Sequence, residues 1–247
     1  MPVAADPVPH LADHKQDCPA GQAIEGDLER FGIDAVAEAR ADHHGQSRDQ
    51  PGESEPAPRG AHVAERPRCA WGNSAPEYVT YHDEEWGTPL RGDDALFERL
   101  CLEAFQSGLS WITILRKRPA FRAAFAGFAI DAVAAFTPDD EARLMADAGI
   151  VRNRAKIAAA VRNARAAQDL PEGLSDLLWS FAPVGPRARP SSLADVPATT
   201  PESVAMAKEL KRRGFVFVGP TTAYALMQAT GMVDDHVAEC FRACAGG

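Results

Sequence analysis

From residue 68 onward, apolar positions recur at helical spacing, and no stretch alternates apolar and polar residues over the length of a strand. Between 93 and 107, Leu96, Phe97, Leu100, Cys101 and Ala104 fall on one stripe. Segments 110–116 and 119–125 read as two helices divided at Pro119, with Gly127 after the second. Segment 138–148 opens on Asp139, Asp140 and Glu141, a charge pattern favoured at a helix N-terminus, and Gly149 ends it. Segment 152–168 is alanine-rich, with Ile157, Val161 and Ala164 on one face. Segment 174–181 is short and apolar, and 183–201 is a loop rich in Pro, Thr and Ser. No internal repeat is present, and an all-α fold is predicted.

The pattern tightens in 211–240, KRRGFVFVGPTTAYALMQATGMVDDHVAEC. A helix over 206–213 ends at Gly214, which takes a left-handed conformation at no steric cost. A short apolar hairpin, 215–218, is closed by Gly219. Pro220 then stands in the first turn of another helix running to Gly231. Helix, hairpin and helix leave free N–H groups around residues 219–222, which together with the helix dipole form an anion site that reads no base sequence. Lys208, Lys211, Arg212 and Arg213 are placed to flank the same phosphate. A pair of core helices joined by a tight turn has the same local pattern.

Residues 1–66 differ from the rest. They hold 13 acidic and 6 basic residues, a net −7 out of −9 for the 247-residue chain, which leaves −2 for the remainder. Leu28, Phe31, Ile33 and Val36 could form one short helix, but there is too little apolar area to offset its ordering entropy. An acidic, mostly disordered extension is therefore expected over 1–66 and a folded domain over 67–247. The acidic balance belongs mainly to the extension and argues little against a nucleic-acid partner. No apolar run reaches the roughly 18 residues of a membrane span, and no secretory signal is recognisable at the start. Five scattered cysteines suit a reducing compartment, and a cytoplasmic location is expected.

Five of the seven histidines lie in the extension, so the domain keeps His82 and His236. His236 and Cys240 stand four residues apart and are expected on one helical face. With Cys69 and His82 they make a complete tetrahedral zinc set without an open position, the composition of a structural site. Such an ion would fasten the domain's ends across the 154 residues from His82 to His236. Two core histidines and two buried thiols would look the same. Cys101 reads as packing, and Cys244 as a possible substitute ligand. Glu103 lies among apolar and small neighbours, with Gln106 one turn on and Gly108 opening a corner before Leu109 and Trp111. It is either a solvated outward residue or a pocket carboxylate beside Tyr81, Trp86 and Trp111. In the second case it would bind the edge of a flat, electron-poor ligand stacked between the rings.

Four blocks, 69–87 (CAWGNSAPEYVTYHDEEWG), 101–118 (CLEAFQSGLSWITILRKR), 149–164 (GIVRNRAKIAAAVRNA) and 211–240, closely resemble the 3-methyladenine DNA glycosylase I family. The resemblance spans about residues 68–242 and leaves 1–66 without a counterpart. It implies a helix-hairpin-helix DNA glycosylase fold with a structural zinc on Cys69, His82, His236 and Cys240. Around a flipped base it implies Glu103, as the catalytic-site carboxylate, with Tyr81 and Trp111; Trp86 and Gln106 join them as expected substrate contacts. Leu109 is the candidate wedge, and Gly214, Gly219, Thr221 and Lys211 are the candidate DNA contacts. The implied partner is alkylated double-stranded DNA, the implied state a monomer, and no membrane is involved. Bifunctional relatives carry a lysine after the hairpin glycine; Thr221 occupies that place here, so no Schiff base is expected. No cluster of four cysteines follows the hairpin, which excludes an iron–sulfur branch. Asp235 is read first as a helix N-cap. The competing class is a non-enzymatic, zinc-containing DNA-binding module, which needs no enclosed pocket of carboxylate and rings.

Overall fold

The computed structural model describes residues 66–185 and 187–244, with the side chains of 243 and 244 left undescribed. The expectations for residues 1–65 and for Cys244 as a ligand fall outside that description. Among the described residues there is no strand. The helices are α1 (Pro76–Glu84), α2 (Asp93–Gln106), α3 (Trp111–Ala124), α4 (Ile130–Ala134), α5 (Pro138–Ala146), α6 (Arg154–Gln168), α7 (Leu174–Trp179), α8 (Pro201–Arg212) and α9 (Pro220–Ala229).

Local chemistry accounts for most of their ends. Pro76, Pro138, Pro201 and Pro220 each open a helix, where the missing N–H costs no helical bond. Thr137 and Asp140 form a reciprocal capping box on α5, and Thr200 with Ser203 does the same on α8. Asn153 caps α6 by accepting from the Lys156 backbone at 3.1 Å.

The break expected at Pro119 does not occur; α3 runs unbroken from Trp111 to Ala124 with Pro119 inside it. Proline removes one ladder bond, yet the half beyond it is anchored by aromatic packing. Phe105 of α2 lies 4.7 Å from Phe121 and 5.8 Å from Phe125, and Phe125 stacks on Phe128 at 5.2 Å. This cluster forms part of the core between α2 and α3. Its burial outweighs one lost hydrogen bond.

The last described segment returns to the first. Gly87 and Leu90 donate to the carbonyls of Gln228 and Thr230 at 3.1 Å, and Phe241 donates to Pro67 at 2.7 Å. These bonds bring the segment after α9 against the segments flanking α1, so residues far apart in sequence share one site.

Candidate active site

α2 supplies the central group. Glu103 is only 6% exposed and has no hydrogen-bond partner among the described residues. Burial pushes its carboxyl up to about 7, and the Arg99 guanidinium one turn earlier pulls it partly back. Arg99 is itself buried. It donates to Glu85 at 2.8 Å, lies 5.4 Å above the Tyr81 ring, and leaves Nη1 without a partner. Glu85 also takes two bonds from Arg118, at 2.7 and 2.6 Å. A buried carboxylate without a protein partner is costly, and such a group is found where a ligand supplies the missing contact.

Glu103 faces a cavity of about 90 Å³ lined by Trp71, Tyr78, Tyr81, Trp86, Gln106, Trp111, Ala225 and Gln228. Tyr81, Trp86, Trp111 and Gln106 thus stand around Glu103 as the sequence reading expected. Trp71, Tyr78, Ala225 and Gln228 were not foreseen. The rings differ from the expected sandwich, since Tyr81 and Trp111 touch each other at 5.5 Å with a 49° tilt. With the two rings in contact, a flat ligand would lie against these faces and not between them. Tyr78 joins α1 to the start of α3 by accepting from the Ile112 backbone at 3.0 Å, which fixes the turn carrying Trp111.

Through Glu103, Gln106 and Ala225 the pocket is contiguous with an outer cleft of about 300 Å³. The cleft is bounded by the 107–110 corner on one side and by Thr221 and Thr222 of α9 on the other. Leu109 is 37% exposed at that corner. α6 holds both sides from behind. Lys156 is buried and donates to the carbonyls of Phe105 at 2.9 Å and Ser107 at 2.6 Å, satisfying groups that the C-terminus of α2 leaves open. Asn163, 1% exposed, pairs with Val216 in both directions, at 2.8 and 3.0 Å, as a neighbouring strand would. The hairpin is therefore preformed. Gly214 takes the predicted left-handed conformation, with φ of 95°, and Gly219 caps α9.

The basic flank is smaller than expected. Arg212 is bound to Glu209, and Arg213 to both Glu209 and Glu172 at 2.8 Å. Lys208 and Lys211 remain exposed and have no ion pair among the described residues. The second position after Gly219 holds Thr221, exposed on the first turn of α9.

The two ends of the domain meet beside the pocket. The ligand atoms of Cys69, His82 and Cys240 lie within 4.8 Å of one another, all buried. The bond that the Cys69 thiol donates to Cys240 pushes the latter well below the usual thiol range, and His82 adds to it at 3.4 Å. His236 does not belong to that group of three. Its ring lies 5.1 Å from that of His82, and its Nε2 is buried without any partner. Each histidine has a carboxylate on Nδ1, Asp83 at 2.9 Å and Asp234 at 2.8 Å, which leaves Nε2 as the nitrogen available to another ligand; that of His82 lies 3.4 Å from both the Cys69 N–H and Cys240 Sγ. Two gathered thiols and an imidazole, with a second imidazole beside them whose Nε2 has no partner, are a donor set that suits a thiolate-binding ion. Gly87 permits the approach, because a Cβ there would stand 2.5 Å from His236 Cε1. Trp86 joins cluster to pocket: it packs edge-on to Trp71 at 5.1 Å and to His236 at 4.6 Å.

Two readings of this segment are corrected. Residues 236–240 are not α-helical: the Cys240 N–H, which would close a helical turn on the His236 carbonyl, goes to the Val237 carbonyl at 2.8 Å. Asp235 is no N-cap. It is 4% exposed, and its Oδ2 accepts from the Tyr224 hydroxyl at 2.5 Å and from Gln228 Nε2 at 2.9 Å.

Known proteins resemble this chain over the described domain. The profile of the methyladenine glycosylase family matches residues 71–243. DNA-3-methyladenine glycosylase 1 of Escherichia coli (strain K12) is 46% identical over 177 residues, covering 70% of this chain and 95% of that one. A crystal structure of 3-methyladenine DNA glycosylase I superposes with a TM-score of 0.68 at 46% identity, covering 71% of this chain and 98% of the other. A variant of 3-methyladenine DNA glycosylase I in complex with 3-methyladenine gives a TM-score of 0.67 at 35% identity, covering 70% and 96%.

Proposed function

The chain belongs to the methyladenine glycosylase family, and on that premise we propose that it excises 3-methyladenine from alkylated duplex DNA and leaves an abasic site. One observation supports this most directly: Glu103 is a buried carboxylate without a protein partner, at the wall of an aromatic pocket. A module that only holds DNA has no use for it. Methylation at N3 makes adenine cationic, so the glycosidic bond is already weakened and little acid catalysis is needed. The protein's work is selection and exposure. The nucleotide swings out of the stack at a cost of a few kcal/mol, smaller for a damaged base. Glu103 accepts from the exocyclic amine and offsets the positive charge, while Tyr81 and Trp111 supply ring faces. Leu109 fills the vacated stack, and Thr221, Thr222 and the hairpin N–H groups hold the backbone. Water then attacks C1′ and the base departs.

Among the described residues no lysine lines the pocket or its mouth, which supports a monofunctional reaction without a covalent intermediate. Cys69, His82, Cys240 and His236 would hold a structural zinc, supported by the orphaned Nε2 of His236 and the gathered thiols. Bound there, the ion would supply no reaction step; it would tie the two ends of the described domain together and back Trp86. The proposal is tested by chromatography of bases released from methylated duplex DNA. Release of 3-methyladenine by the wild-type protein is expected. Its absence with a folded protein refutes the reading.

A further inference from the structure

We propose that Gln228 is a second base-selecting residue, presenting its amide carbonyl oxygen to the flipped base, and that Asp235 is the residue that keeps it facing that way. The inference rests on the excision reading above and names a contact for the same pocket. Gln228 lines the deep cavity opposite no charged group of its own helix, and is 6% exposed. Its NH2 donates to Asp235 Oδ2 at 2.9 Å, and its Oε1 makes no hydrogen bond among the described residues. A carboxylate accepts only, so the amide end turned to Asp235 has to be the NH2. The carbonyl is then the end left for the cavity.

Asp235 is held in turn. The Tyr224 hydroxyl donates to the same oxygen at 2.5 Å, and Tyr224 and Gln228 stand one turn apart on α9. Arg187 lies close enough to Tyr224 and Asp235 to balance the buried charge. Turning the amide over would set its carbonyl against the carboxylate and break the bond, so one orientation is selected.

The pocket consequently shows two acceptors, Glu103 and Gln228. An amino purine offers two N–H groups on one exocyclic nitrogen, enough for both. A 6-oxo purine of the same shape turns an oxygen toward them and leaves buried acceptors unpaired. Sites built this way reject the mismatched analogue far more strongly than apolar pockets do.

The test uses the pocket tryptophans. Quenching of their fluorescence by free 3-methyladenine and by free 3-methylhypoxanthine gives two dissociation constants for wild type, Gln228→Met, Asp235→Asn and the double variant. Single-turnover base release from methylated DNA runs alongside. Gln228→Met keeps the side-chain volume and is expected to weaken 3-methyladenine about five- to tenfold, as for one lost hydrogen bond, while 3-methylhypoxanthine binds no more weakly, because it no longer faces an unpaired carbonyl. Asp235→Asn lets the amide turn over and narrows the preference less. The double variant adds nothing beyond Gln228→Met, because both act through one oxygen. Equal weakening of both bases, no weakening, or a wild type that binds both alike overturns the proposal. Gln228 as packing alone would lower the thermal midpoint and move both constants together. The excision reading fails separately, by wild type releasing no 3-methyladenine from DNA.

Discussion

The cost of keeping Glu103 buried can be measured by removing only its charge. Its carboxyl rises from the ordinary 4.5 to about 7, an interval of about 2.5 pH units, chiefly because burial penalises the anion. At 1.36 kcal/mol for each unit this amounts to about 3 kcal/mol. The sign follows from proton uptake on folding. The folded value lies above the unfolded one, so the folded state binds more proton between the two. Stability is intact below about pH 4.5, falls as pH rises through about 7, and stays reduced above. Glu103→Gln carries no such dependence. Its amide adds a constant desolvation cost, but the difference in unfolding free energy between the proteins should move by about 3 kcal/mol in the variant's favour from pH 4.5 to pH 8. Urea titrations at several pH values measure this. Excision should move the other way, falling about ten- to a hundredfold with the loss of a charge-assisted hydrogen bond of roughly 1.5–3 kcal/mol. Wild-type kcat/KM should climb through about pH 7 as the anion forms, and the variant's should not. A stability difference that does not vary with pH, or equal loss of DNA affinity and excision, would refute the reasoning.

Metal analysis of the purified protein should find one zinc per chain, and His236→Ala should lower both metal content and the unfolding midpoint; a metal-free wild type contradicts the ligand set. Asn163→Ala should cost about 1–3 kcal/mol of stability, since it strands both polar groups of Val216, and should weaken duplex binding while leaving release at saturating enzyme unchanged. Borohydride added during turnover should trap no protein–DNA adduct, because the pocket and its mouth hold no lysine; a trapped adduct would overturn the monofunctional mechanism.

Much of this site was legible because it is written locally. Helical spacing marked α2 and α6, Pro220 and Gly214 marked the two sides of the hairpin, and two histidines in a domain otherwise free of them pointed to the Cys/His cluster. What escaped were groups whose role depends on a distant partner. Pro119 looked like a stop, but Phe121 and Phe125 beyond it are pinned by Phe105 from another helix. Arg212 and Arg213 looked like phosphate ligands until Glu209 and Glu172 took them. His236 and Cys240 have the spacing of a helical face, yet the Cys240 N–H turns to Val237 and not to His236, as a helix would need. Asp235 is the instructive case. Beside an expected metal ligand, an aspartate reads as a cap, since caps are the usual local use of its side chain. Only the fold shows Tyr224 and Gln228 closing on it, one turn apart on α9, with Gln228 at the pocket wall. A carboxylate whose partners lie 7 and 11 residues upstream has no local signature; its place in base selection follows from the direction in which it turns one amide.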